Sequence, residues 1–210
     1  MLTDLAGVDL LLVLGSIIIS MTVHEAMHGF VAHWLGDSTA QEAGRLTLNP
    51  LKHIDVMTTV LLPMVMLMLH LPPIFAAKPV PFNPDRVKFD EFGAALIGVS
   101  GPLTNLVMAG IGGLIFRAFG ADLGVFGANA VITFTAVNIG FFVFNMIPWP
   151  PLDGSRLLYA FAPEPLQNVM RTIESYGFMS IMIFIFIIFT VGTGVIFNVQ
   201  NGLTKAILGM

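Results

Sequence analysis

Residues 10–35 read LLLVLGSIIISMTVHEAMHGFVAHWL, an apolar run that is long enough to cross a bilayer, which takes about 20 residues. His24, Glu25 and His28 interrupt this run. Ionisable side chains are costly inside a membrane, and by default they mark functional sites there. The role of these three residues therefore decides how the rest of the chain is interpreted.

The composition of the 210-residue chain indicates a membrane protein. Hydrophobic residues make up 56% of it and charged residues 10%, whereas soluble domains carry about 25% charged residues. The nine Lys and Arg residues are scattered along the chain, which argues against nucleic-acid binding. Because cysteine is absent, there is no disulfide framework, thiolate metal site or cysteine nucleophile. The lipid bilayer is the expected surrounding of this fold.

The hydrophobic segments predict an all-α polytopic membrane protein, organised as a single domain over residues 1–210. Residues 57–77 are also apolar, but Pro63 and Pro72-Pro73 interrupt them, so this segment is expected to be re-entrant and not a full span. Four segments are long enough to cross the bilayer fully, and these are 10–35, 93–118, 126–147 and 176–199. The core is expected within about residues 10–160, with 176–199 as a C-terminal span.

Residues 44–49, GRLTLN, alternate polar and apolar side chains with a period of two. This pattern predicts a short β element that ends at Asn49-Pro50. An exposed edge of such a strand could pair with an extended peptide backbone. A small surface strand without a partner is an equal alternative.

His24 and His28 are four residues apart, so on a helix they share one face. Two imidazoles at this spacing can bind one Zn²⁺, and Glu25 beside them can act as a general base towards a water molecule. The structural alternative is a chance HExxH pattern, or histidines that are hydrogen-bonded within a helix bundle. Their position in the middle of a membrane span favours the metal site.

The other histidines are weaker candidates for a third zinc ligand, which a catalytic site needs in addition to an open position for water. His33 lies nine residues after His24 and away from its face. His53 lies in the polar stretch LKHID and is expected at the surface. His70 is alone in an apolar run, which is typical of a buried, hydrogen-bonded histidine.

Asp153 is the stronger candidate and lies in NMIPWPPLDG, residues 145–154. Three prolines there stop the preceding helix and keep the chain extended. Such a segment can lie at membrane depth only where it is buried in protein or lines a wet cavity, so its aspartate is placed to meet a metal. The alternative is that Asp153 is the N-cap of a helix that begins near Ser155.

Three motifs together resemble the site-2 protease family of intramembrane zinc metalloproteases, and these are HEAMHG at 24–29, GPLTN at 101–105 and NMIPWPPLDG at 145–154. The stretches GRLTLNPLKHID at 44–55 and AKPVPFNP at 77–84 resemble a compact bacterial and archaeal branch of that family, which has no PDZ or CBS domains. The resemblance runs in the family's order through the predicted core.

The resemblance implies one Zn²⁺ ion held by His24, His28 and Asp153, with Glu25 as the catalytic base. Asn145 matches the family asparagine that is expected to stabilise the oxyanion. The implied activity is a zinc endopeptidase that cuts transmembrane protein substrates within or near their membrane segments. The alternatives are a membrane zinc-binding protein without peptidase activity and a metal transporter, although transporters usually repeat their ligand set and no repeat is evident.

The family's arrangement also predicts a topology, since its metal lies towards the cytosol and both ligand-bearing helices run inward. Two full crossings must then separate them, so the Pro-broken segment 57–77 is expected to be re-entrant. With a re-entrant 57–77, only Arg117 and Lys205 of the basic residues lie on the outer side of the membrane, as the positive-inside rule requires. Seven basic residues then lie inside, and these are Arg45, Lys52, Lys78, Arg86, Lys88, Arg156 and Arg171. The expected location is a prokaryotic cytoplasmic membrane, with the N-terminus outside and the active site towards the cytosol.

Overall fold

The computed structural model describes residues 2–68, 77–188, 190 and 193–210, and within them every regular element is helical. Short 3₁₀ turns occupy Pro50–Lys52 and Pro84–Arg86, and a π-helical turn occupies Val56–Leu61. The helices are α1 (Leu2–Trp34), α2 (Thr39–Glu42), α3 (Leu62–Met68), α4 (Asp90–Phe119), α5 (Gly124–Asn145), α6 (Gly154–Phe161), α7 (Glu164–Ser175), α8 (Phe178–Ile187) and α9 (Thr193–Leu208).

Helices α1, α4 and α5 are long and apolar enough to cross a membrane. They pack against one another, and α6 and α9 pack against this group. Large apolar side chains point outward from the long helices, as Leu11 at 70% exposure and Leu114 at 69% illustrate. A helix that is apolar on its outward face is typical of a membrane span. Helices therefore cover the predicted spans 10–35, 93–118 and 126–147 almost completely.

In the described part of the fourth predicted span, 176–199, two separate α-helices are assigned. Helix α8 ends at Ile187 and α9 begins at Thr193. At the other end of α8, a bend of 103° separates it from α7. Gly177 lies at this bend with a φ of 52°, a conformation that glycine adopts without steric cost. The predicted count of four full spans is thus not confirmed.

The predicted re-entrant segment 57–77 starts as the π-helical turn and continues into α3. Pro63 lies near this transition. Since proline has no N–H, it cannot take part in the regular helical hydrogen bonding, which fits a change of helix type at this point. Residues 69–76, with His70 and Pro72-Pro73, lie outside the described residues. The re-entrant path therefore stays a prediction.

The predicted β element at 44–49 is wrong, because these residues form turns and irregular backbone. The Arg45 side chain is buried at 6% exposure and donates to the carbonyls of Lys78 and Pro79, at 3.3 Å each. Asn49 caps the following 3₁₀ turn by accepting from the Leu51 N–H. The alternating pattern thus comes from one inward arginine and one capping residue, and not from a pleated strand.

Small residues let other helices approach α4 closely. A Cβ atom added to Gly112 would lie 2.3 Å from Thr135 Oγ1 on α5, and one added to Gly113 would lie 2.4 Å from Ile207 Cγ2 on α9. At the same end, the Arg117 guanidinium donates to the Ala206 carbonyl and ties α9 to α4. Helix α4 is therefore the central helix of the bundle, and the opposite half of it supports the candidate site.

A buried carboxylate lies just beyond the end of α1. Asp37 has 0% exposure and accepts hydrogen bonds from the Thr39 N–H at 3.0 Å, the Thr39 hydroxyl at 2.5 Å and the Asn83 N–H at 2.6 Å. Burial raises the pKa of this carboxyl, but the hydrogen bonds from Thr39 and Asn83 more than offset that effect and leave the pKa below its usual value. Asp37 thereby fixes the segment before α4 against the end of α1.

We expect Asp37→Asn to lower the free energy of unfolding by about 1–3 kcal/mol at pH 7, because its amide would turn a donor towards the Asn83 N–H. Because the pKa of Asp37 is lower in the folded state, the carboxylate stabilises the fold at pH values above its unfolded-state pKa of about 3.9. This contribution is lost as the pH falls through the folded-state pKa. The stability gap between the variant and the wild type should therefore narrow below about pH 4.

Denaturant unfolding in detergent at pH 7 and pH 3 measures this gap. Asp85→Asn is the matched control, since Asp85 is an exposed aspartate on the same connecting segment. Equal stability of Asp37→Asn and Asp85→Asn at pH 7 would contradict the role assigned to Asp37.

Candidate metal centre

Helix α1 brings the His24 and His28 side chains to one buried face, as the four-residue spacing predicted. Their exposures are 4% and 8%. The two Nε2 atoms lie 3.1 Å apart. Asp153 Oδ2 lies 3.0 Å from His24 Nε2 and 3.3 Å from His28 Nε2. Three potential metal-ligating atoms from two distant parts of the chain therefore form one small triangle.

The proline-rich segment after α5 delivers Asp153 to this triangle. Tight turns fold the segment, with the Trp149 N–H donating to the Ile147 carbonyl and the Leu152 N–H to the Trp149 carbonyl. Asp153 does occupy the N-cap position of α6, but its side chain makes no capping hydrogen bond. Its carboxylate faces the histidines instead, which favours the ligand interpretation over the capping alternative.

The second nitrogen of each histidine is held by an oxygen acceptor on α4. His24 Nδ1 lies 2.5 Å from Asn105 Oδ1, and His28 Nδ1 lies 2.7 Å from the Ile97 carbonyl oxygen. An amide oxygen can only accept, so both Nδ1 atoms carry the proton and donate it. Both Nε2 atoms are left with a free electron pair towards the triangle, as a metal-binding histidine requires.

The residues present fit a zinc ion in chemistry and in spacing. Two neutral imidazoles and one carboxylate are a ligand set found in catalytic zinc sites, and ligands about 2.0–2.1 Å from a tetrahedral ion lie about 3.3 Å apart. The three separations here, 3.0, 3.1 and 3.3 Å, lie close to that value. His24, Glu25 and His28 also form a cluster whose ligand atoms lie within 4.8 Å of one another.

Glu25 is held beside the triangle by a backbone amide. The Val80 N–H donates to Glu25 Oε2 at 3.0 Å. Val80 stands between Pro79 and Pro81, so it supplies the only N–H of those three residues. The Lys78 and Pro79 carbonyls accept from the buried Arg45, which fixes this extended stretch over α1. One oxygen of the carboxylate is thereby anchored near the metal ligands.

Two glycines of α4 leave room for the site. A Cβ atom at Gly101 would lie 2.5 Å from His28 Nε2, 2.7 Å from His28 Cε1 and 2.7 Å from His24 Nε2, so it would collide with both imidazoles. One at Gly98 would lie 2.7 Å from Arg156 Cβ and 3.0 Å from the Asp153 carbonyl oxygen. Gly98 also borders the cavity beside these residues, whereas Gly101 lies directly against the two imidazoles.

The remaining predicted residues have mixed outcomes. Asn145 borders the same cavity as the triangle, and its Nδ2 donates to the Phe141 carbonyl at 3.0 Å, so its oxyanion role stays a prediction. His33 is exposed and away from the site, as expected. The surface position expected of His53 is wrong: it has 0% exposure, because its Nε2 donates to the Thr47 carbonyl and its own carbonyl accepts from Lys78.

A cavity of about 560 Å³ opens beside the triangle and extends along α1 and α5. Its walls are mostly apolar, and Gln200 of α9 adds an amide to them. The apolar lining includes Ile17, Met21, Val137, Phe141, Phe144 and Ile181. Such a space can hold several residues of an extended apolar peptide next to the candidate metal ligands.

We expect Gly101→Ala to lower the zinc content of the purified protein at least about 10-fold, because the new methyl group would push both imidazoles out of their positions. Gly110→Ala is the matched control on the same helix, since nothing lies within 4 Å of a Cβ atom there. Elemental analysis of both variants after identical zinc loading measures the effect. Equal zinc content in the two variants would contradict this description of the site.

Comparison with known proteins places the chain in a family. No family model and no solved structure matches the chain. The chain is 34% identical over 176 residues to "Putative zinc metalloprotease YwhC" of Bacillus subtilis, which covers 80% of this chain and 77% of that protein. It is 27% identical over 183 residues to "Putative zinc metalloprotease Rip2" of Mycolicibacterium smegmatis, which covers 82% of this chain and 66% of that protein. With this identity over most of its length, the chain belongs to the site-2 protease-like family of zinc metalloproteases.

Proposed function

We propose that the protein is an intramembrane zinc endopeptidase that hydrolyses peptide bonds within or near transmembrane segments of other membrane proteins. The observation that carries this proposal is the triangle of His24, His28 and Asp153, with the Glu25 carboxylate anchored beside it on an apolar helix. One zinc ion is the cofactor that this ligand set fits.

The depth of the triangle along α1 supports cleavage below the lipid headgroups. Trp34 ends α1 and is 78% exposed, which is typical of an aromatic residue at a membrane–water interface. Phe89, at the start of α4, is 68% exposed and lies at the same level, because the neighbouring Lys88 N–H donates to the Leu35 carbonyl. At 1.5 Å per residue, His28 and His24 lie about 9 and 15 Å along the helix from Trp34.

In the proposed mechanism His24, His28 and Asp153 would hold one zinc ion, which would supply Lewis-acid polarisation of the peptide carbonyl and activation of a water molecule. The Glu25 carboxylate takes a proton from the attacking water and passes it to the leaving amine. Val80 keeps Glu25 in place for both proton transfers. The Asn145 amide, which borders the cavity, would turn from the Phe141 carbonyl to donate to the developing oxyanion.

The substrate in this proposal is a transmembrane segment that enters the cavity in an extended form. The apolar lining favours hydrophobic residues on either side of the scissile bond. Local unwinding of the substrate helix has to precede cleavage, because a helical peptide bond is shielded and hydrogen-bonded. The seven basic residues expected on the side of the active site support an orientation towards the cytosol of a prokaryotic cell.

Glu25→Gln tests the activity in the full chain, purified in detergent and incubated with membrane-spanning test substrates. We expect the variant to keep about one zinc per chain and to lose cleavage by at least about 10³-fold, because the amide cannot take up the proton. Asp153→Ala should lose both zinc and cleavage, because it removes one of three ligands.

A zinc-loaded wild-type protein that cleaves none of these substrates would overturn the peptidase proposal. Metal flux through proteoliposomes, persisting in Glu25→Gln, would instead support transport. Inhibition of the wild type by a zinc chelator and recovery on zinc addition is the positive control.

A further inference from the structure

Three buried polar side chains connect α5, α4 and α1 and end at one metal ligand. Asn138 Nδ2 donates to the Phe134 carbonyl at 2.8 Å, and Asn138 Oδ1 accepts from Asn105 Nδ2 at 2.9 Å. Asn105 Oδ1 in turn accepts from His24 Nδ1 at 2.5 Å. We infer that Asn138, which touches no metal ligand in this chain of bonds, is a positioning residue that keeps the His24 proton on Nδ1 and so sets the zinc affinity of the site. This inference rests on the proposed function.

The direction of every link follows from the chemistry of its partner. The Phe134 carbonyl can only accept, so the amide nitrogen of Asn138 must face it and the amide oxygen must face Asn105. That oxygen can only accept, so Asn105 presents its nitrogen to Asn138 and its own oxygen to His24. His24 Nδ1 must therefore donate. A second acceptor, the Ser20 carbonyl at 3.3 Å, holds Asn105 Nδ2 in the same orientation.

Burial makes the direction of these hydrogen bonds costly to reverse. Asn105 and Asn138 have 0% exposure and His24 has 4%, so no bulk water can replace a lost partner. An unsatisfied or reversed buried hydrogen bond costs about 1–3 kcal/mol. Without the Asn138 oxygen, only the longer hydrogen bond to the Ser20 carbonyl, at 3.3 Å, would oppose the turned-over Asn105 amide, which presents its N–H to Nδ1. The His24 proton would then move to Nε2, where it blocks the electron pair that the metal needs.

The second histidine does not depend on this relay. His28 Nδ1 donates to the backbone carbonyl of Ile97, whose position is set by helix α4 itself. The two imidazoles of the HExxH motif are thus oriented by different means, one by main chain and one by two asparagine side chains. Loss of Asn138 should weaken the contribution of His24 alone and leave a reduced, but not abolished, affinity.

Zinc affinity of the full chain in detergent, measured by competition with a fluorescent chelator, tests the inference without relying on activity. We expect Asn138→Leu to weaken zinc binding about 10–100-fold, the range found when an outer partner of a metal ligand is removed. Asn138→Asp should stay within about 3-fold of the wild type, because a neutral carboxylic acid can accept from Asn105 and donate to the Phe134 carbonyl.

Thr135→Val is the matched control on the same helix. Thr135 is also fully buried, but its hydroxyl has no hydrogen-bond partner among the described residues, so zinc affinity should not change. Wild-type affinity in Asn138→Leu would overturn the inference while leaving the proposed function intact. Absence of zinc binding in the wild type would instead defeat the proposed function.

The tautomer of His24 in the wild-type protein gives a second measurement, which does not depend on whether the Asn138 variants fold. In zinc-free wild-type protein labelled with ¹⁵N-histidine, the His24 resonance, assigned by its loss in His24→Ala, should show a protonated Nδ1. A His24 without a proton on Nδ1 would overturn the inference even if Asn138→Leu did not fold.

Discussion

The structure depends on holding two imidazoles and one carboxylate within about 3 Å of one another inside an apolar helix bundle. Desolvating such groups costs several kcal/mol unless each polar atom has a partner. The Nδ1 atoms of His24 and His28 find theirs on α4, whereas both Nε2 atoms and the Asp153 carboxylate face one another as acceptors and would be satisfied by a shared cation. Much of the surrounding architecture meets this requirement: a helix with a glycine against the donor atoms, a proline-rich segment that returns to membrane depth, and asparagines buried between spans.

Helix α4 does the most to satisfy that constraint, although it contributes no metal ligand. Its N-terminal half offers Gly98 and Gly101 for close approach, and the Ile97 carbonyl and Asn105 amide as acceptors. Its other half brings α5 and α9 close through Gly112 and Gly113. Packing and site geometry therefore share one element, so a substitution on α4 can change metal binding without touching a ligand.

The sequence predicted the parts of the molecule that a local pattern encodes. The three long helices follow from apolar runs, and HExxH places His24 and His28 on one face by helical periodicity alone. Asp153 could be found because three prolines exclude a continuing helix and leave a carboxylate at membrane depth. These features need only local rules or a short motif, together with the resemblance to a known family.

The missed features depend on contacts between distant segments. Arg45 turns inward because the Lys78 and Pro79 carbonyls lie opposite it, so an alternating pattern that suggested a strand has another cause. His53 is buried by Thr47 and Lys78, which no local pattern shows. The role of Gly101 appears only when two imidazoles from α1 are placed against it. For the same reason the sequence did not predict the bend between α7 and α8 at Gly177, and residues 176–199 were interpreted as one continuous span.

The origin of the ligands in the chain bears on how the protein matures. His24 and His28 are synthesised early, but their acceptors lie on α4 and the carboxylate lies beyond α5. While the first helix is alone in the bilayer, its two imidazoles have neither a fixed tautomer nor a third donor. The candidate metal centre is therefore complete only once the chain beyond α5 has been synthesised and has folded against the first helix.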